Sequence, residues 1–152
     1  MKVLDGQELR MIARFGPPPK VGPEDESAVG VVRRAQASTL EVLDTFEREQ
    51  ARLTANRELE DDEREEETQK RARTALNRLE RVERLETGGD IDRMRANLRR
   101  HGDHRRRVAE LDDEVSALRT LWADVRREIQ PHLGWRDPLE VMAGGRRASG
   151  YR

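Results

Sequence analysis

The 152-residue sequence contains no cysteine, so disulfides, thiol nucleophiles and thiolate metal sites are excluded. Aromatic residues make up only 3% and the AVILMFWYC set 34%. No apolar run comes near the roughly 18 residues needed to span a bilayer, and no signal peptide is apparent. The cytoplasm, or a particle such as a virion assembled there, is the expected location. Lysine is almost absent too: Lys2, Lys20 and Lys70 are the lysines, and the other basic residues are arginine. Arginine suits bidentate pairing with carboxylate or phosphate, but a GC-rich genome produces the same bias.

What the chain does have is charge. Asp, Glu, Lys and Arg make up 40%, with 30 basic against 31 acidic residues and a net charge of −1. Charge so balanced carries no global polyanion-binding signature. A chain this poor in apolar residues has two outlets: disorder, or long helices that share an apolar stripe with a neighbour. Helical periodicity favours the second.

The clearest periodicity runs through Val108, Leu111, Val115, Leu118, Trp122, Val125 and Ile129. Its steps alternate three and four, the seam of a coiled coil or helical bundle. Mostly β-branched residues at one seam position, with Leu111 and Leu118 at the other, suit a parallel homodimer. In that register Arg107 and Glu114 oppose Asp112 and Arg119 across the partner. Trp122 is wide for two strands and leaves a trimer, or packing against another segment of the chain, open, and Leu121 broadens the apolar face toward a bundle. These seven residues form the expected oligomer seam, with self as first partner.

Around the seam the chain divides into four stretches. Residues 1–22 form an N-terminal docking arm. Leu9, Ile12 and Phe15 line a short amphipathic helix after the Asp5–Gly6 turn, and the prolines of 17–19 impose an extended rod. So small a unit cannot bury its own apolar face, so it is expected to carry that face to a partner surface. Residues 23–87 read as one long charged helix, opening at Pro23 with Glu24, Asp25 and Glu26 at its positive end. The apolar stripe fades over 54–71, and 58–67 holds eight acids against Arg64 alone. Helix formers dominate there, so the helix is carried through; 54–62 is where a break would fall. Unbroken, it would reach on the order of 95 Å at about 1.5 Å per residue. Gly88-Gly89 ends it. Residues 90–130 are a short helix and the heptad helix, and 131–152 a C-terminal arm in which Trp135 and Tyr151 are docking anchors. The expected fold class is therefore all-α: an extended coiled coil or helical bundle with non-helical arms.

Charge layout adds a constraint. A hairpin about Gly88-Gly89 would lay the basic 93–107 along the basic 70–84, like against like. Pairing 93–107 with the acidic 58–67 of another subunit is more attractive.

Arg99, Arg100, Arg105, Arg106 and Arg107 are candidate anion contacts. A basic stretch followed by heptads resembles the layout of basic-leucine-zipper proteins over 97–129, including the Asn97-to-Arg105 spacing. That resemblance implies DNA contact by one continuous helix, which Gly102-Asp103 interrupts. His101 and His104 lie three apart with no evident third ligand, so no metal site is expected. Neither a nucleophile motif nor a phosphate-binding glycine loop is present, and no cofactor is expected. The sequence reads as a non-enzymatic structural or assembly protein. It would oligomerise through helices and dock onto a larger protein complex by its arms, in the manner of a virion or phage accessory, fibre or scaffolding component. The alternative is a helical protein that binds nucleic acid or another anion through 93–107. No membrane partner is expected.

Overall fold

In a computed structural model the protein is all-α, described over residues 3–101 and 105–134. Five helices follow in order: α1 (Gly6–Phe15), α2 (Ala28–Ala55), α3 (Asp61–Thr87), α4 (Asp90–Arg100) and α5 (Arg105–Ile129). A 3-10 turn, Gln130–Leu133, closes the described chain.

The helix boundaries follow side-chain chemistry. Asp5 and Glu8 form a capping box at α1: the Glu8 amide donates to Asp5 at 2.8 Å and the Asp5 amide to Glu8 at 3.3 Å. The helix starts at Ala28 rather than at Pro23 because Ser27 supplies a side-chain cap. Its hydroxyl oxygen accepts from the Gly30 amide at 3.0 Å and donates to Asp25 at 2.6 Å. A Cβ on Gly30 would lie 2.5 Å from the Asp25 carboxyl carbon, so a side chain there would have to displace that carboxylate from Ser27.

The 23–87 stretch is two helices rather than the single one expected, and the gap falls within 54–62, the alternative break point. Arg64 holds the turn. Its guanidinium donates to the carbonyls of Leu53 (3.0 Å), Asn56 (2.7 Å) and Leu59 (3.0 Å) and to Asp61 (3.0 Å). One side chain thereby ties the last turn of α2 to the carbonyls of the turn that follows it.

Helices α2, α3 and α5 form the bundle, with the most extensive contact between α2 and α5. Arg33 and Gln36 meet Glu114, and Arg14 spans Glu47 and Glu128, so α2 and α5 run the same way. Glu86 pairs with Arg119 and Glu83 with Arg126, so α3 runs opposite to both. The like-charge clash of a 93–107 hairpin does not arise, because α4 is short and Arg95 turns to Asp112 (2.8 Å) and Asp92 (2.9 Å). It is α5 that lies along the C-terminal half of α3, placing arginines on acids.

The core lies at the shared centre of these helices: Val32, Val42, Leu43 and Phe46 of α2, Ala72, Ala75, Leu76 and Leu79 of α3, and the α5 stripe. Here the oligomer-seam expectation is corrected. Leu111, Leu118, Val125 and Ile129 are 0% exposed within a single chain, and Val115 and Trp122 are buried with them. Only Val108, at the start of the stripe, is half-buried. The partner of the seam is α2 and α3 of the same molecule. The expectation of insufficient apolar mass fails because small residues do part of the packing. Ala72, Ala75, Thr39 and Thr68 are buried, and they let helices approach closely without large side chains.

Thr39 also carries a buried polar relay at the bundle centre. The Trp122 indole N–H donates to the Thr39 hydroxyl at 3.1 Å, and that hydroxyl donates to the Ala35 carbonyl at 2.8 Å. This explains how a wide indole fits the stripe: its polar edge meets an acceptor on α2.

Candidate functional site

The expected N-terminal arm is a docked helix. Met11 and Gln7 are buried against the rest of the chain. Gln7 donates to Glu47 at 2.8 Å, Arg14 pairs with Glu47 at 2.9 Å, and Arg48 reaches back to Asp5 at 2.9 Å. Arg48 holds the Asp5 carboxyl below the usual carboxylate range, helped by the Glu8 amide. Of the expected docking residues, Ile12 and Phe15 are half-buried on the chain's own surface, and the Arg14 guanidinium stacks 5.1 Å over the Phe15 ring. Leu9 points away and is 55% exposed. Val3 and Leu4 join it at 88% and 38%, and these three are the exposed large apolar side chains of the described residues. Sequence reading named Leu9 but missed Val3 and Leu4, which precede the helix and carry no periodicity. Trp135 and Tyr151 lie outside the described residues.

The candidate anion contacts fall at one tip. Arg99 and Arg100 end α4, and Arg105, Arg106 and Arg107 open α5, all five exposed. None of them enters an ion pair among the described residues. The neighbouring arginines behave otherwise: Arg93 is tied to Asp90, and Arg95 to Asp92 and Asp112.

The opposite end is acidic. Glu58, Glu60, Asp62, Glu63 and Glu65 are exposed and enter no ion pair among the described residues. Farther along α3, Glu66 and Glu67 lie 3.7 Å from Lys70.

Clefts between the described helices add to this surface. One of about 580 Å³ lies between α1, the proline segment, α2 and α5, lined by Phe15, Pro17, Pro19, Leu40 and Leu121 with Asp113 and Asp124 at its rim. A second, about 340 Å³, lies between α2 and α3 and presents Arg78 and Arg81 beside Ser38, Thr45 and Glu41. The third, also about 340 Å³, gathers Gln50, Asp61, Glu65, Thr68 and Gln69 of the α2–α3 end against Pro131, His132 and Gly134.

Among the described residues no three His, Asp or Glu side chains are placed to hold a metal ion, and His104 lies outside them. Among the described residues, the ionisable groups whose affinity for protons departs from the ordinary are Asp5, Asp25, Arg33, Arg48 and Arg119. Each is held in its charged form by hydrogen bonding: Asp25 by the Ser27 hydroxyl, Arg33 by Glu114, Arg48 by Asp5, and Arg119 by Glu86. These are the signatures of ion pairs and caps. No described helix is long and apolar enough to cross a membrane.

Compared with family models, with curated proteins and with solved structures, the chain has no match.

Proposed function

We propose that the protein is a non-enzymatic helical assembly protein that docks a larger protein complex through its N-terminal end. The observation that carries this reading is the exposure of Val3, Leu4 and Leu9 beside a bundle whose other large apolar side chains are covered. Exposed large apolar groups concentrated in one short segment of a small protein serve recognition more often than stability. The partner expected is a protein surface with an apolar groove, because Leu9 sits on a helix already fixed by Met11 on its opposite face.

The complex is isolated under native conditions with wild-type protein and with Leu9→Asp. Leu9→Asp is expected to keep the fold, because the side chain faces solvent, and to lose the complex. An unchanged complex would refute the reading.

A second reading is supported by the arginine tip: nucleic-acid or other anion binding through Arg99, Arg100, Arg105, Arg106 and Arg107. It predicts duplex-DNA affinity that falls steeply as salt rises, through release of condensed counterions.

A further inference from the structure

The two charged ends are held apart by the bundle itself. Asp61 and Glu65 stand beside Pro131 and His132, just past the C-terminus of α5, whereas Arg105, Arg106 and Arg107 form its first turn. The length of α5, 25 residues, therefore separates them. That distance is about 36 Å at about 1.5 Å per residue, several times the screening length of about 8 Å at physiological salt. Neither end can neutralise the other within one copy.

Nor are the charges at the tip explained by the helix that carries them. Acids at the start of α3 and arginines at the end of α4 complement the dipoles of those helices. Arg105, Arg106 and Arg107 do the reverse. They crowd the positive end of α5, whose first turn contains no acid. A local rule broken in this way points to a role outside the helix. At the acidic end, Arg64 is already committed to three carbonyls and Asp61.

We propose that the acidic end of one copy, Glu58, Asp62 and Glu65, receives the arginine tip of a second copy. The contact is head to tail. Because it joins unlike surfaces, each added copy leaves a free end of each kind, and the assembly extends in one direction. Charge complementarity selects a second copy over nucleic acid as occupant: the near-neutral whole, −1, resolves into two opposite poles of comparable charge. This inference rests on the assembly reading and supplies its self-association. The contact is weak and salt-sensitive, since exposed ion pairs gain strength only as a network.

The test uses the full chain in sedimentation velocity across a concentration series. At about 20 mM salt the mean mass should rise with concentration, and at about 500 mM it should return to that of one chain, because the screening length shrinks severalfold. Arg105→Glu/Arg106→Glu/Arg107→Glu, with two acidic ends, should stay a single chain at low salt. So should Glu58→Lys/Asp62→Lys/Glu65→Lys, which leaves five acids in 58–67 against four cations and so removes most of the negative pole. An equimolar mixture should recover association. A control, Arg73→Glu/Arg78→Glu/Arg81→Glu, makes the same change in net charge on the side of α3 and should associate like wild type. The tip variant should melt no lower than wild type, since its new acids suit the α5 dipole, so lost association cannot be misfolding. Wild type that stays a single chain at low salt would overturn the proposal, as would either end variant that keeps wild-type association. Tip-dependent oligonucleotide binding without self-association would do so as well. Loss of self-association with a Leu9-dependent complex intact would sink this inference alone. Intact self-association without that complex would sink only the docking reading.

Discussion

Helices α5 and α1 are both amphipathic, and both were expected to turn an apolar face toward a partner. They end differently. Over 25 residues α5 is covered by α2 and α3, and six of its seven stripe residues are buried. Over 10 residues α1 buries Gln7 and Met11, is held at its edges by Arg14, Arg48 and Glu47, and leaves Leu9 outside. The difference teaches that a periodic apolar stripe announces a partner without saying whose. Length decides: a long stripe finds cover in its own chain, whereas a short peripheral helix covers one side and presents the other.

The largest break in that comparison comes from Leu118→Asp. A carboxylate without a partner in the bundle centre should cost about 4 kcal/mol or more, enough to abolish cooperative melting. Were α5 an intermolecular seam, the same change would give a folded monomer, which circular dichroism would reveal. Next, Thr39→Val leaves the Trp122 N–H without its acceptor and should cost about 1–3 kcal/mol. A double-mutant cycle with Trp122→Phe should return a coupling of about 0.5–3 kcal/mol; additive losses would show that the two side chains do not act together.

Met11→Ala should be milder and local. Removing the anchor costs about 2 kcal/mol, yet the bundle transition should stay near its wild-type temperature while α1 amides lose hydrogen-exchange protection. A matching drop in the bundle transition would show that α1 is integral to it. The smallest effect is a proton. Asp5 is depressed below its ordinary value of 3.8, so its contribution is complete above that value and fades as pH falls through the lower folded value. Protection of α1 should therefore decline only below pH 3.8, and Asp5→Asn should already show that decline at neutral pH. Identical α1 protection in the two proteins at neutral pH would remove the Arg48 contact from the account.

Much of the fold was legible because helix signals are local. Gly88-Gly89, the α5 stripe and the thinning of apolar residues over 54–62 each have a short-range cause. The start of α2 was misplaced at Pro23 because a cap depends on which oxygen reaches the amides, and Ser27 does so with help from Asp25. The covering of α5 was illegible for a different reason. Thr39, Thr68, Ala72 and Ala75 count little as apolar mass, yet they are buried. The role of Arg64 was equally hidden: among eight acids it reads as a counter-ion, and it acts mainly on backbone carbonyls. At the candidate site, the arginine tip and Leu9 were visible as composition. That the two charged blocks occupy opposite ends depended on the direction of α5.

The hydrogen bond from Trp122 to Thr39 has a practical consequence. The chain holds two tryptophans, so a Trp135→Phe background would leave a single indole, sealed in the bundle and bonded to a threonine. Its emission colour would then gauge the integrity of the α2–α5 contact alone, blind to whether α1 is seated or loose.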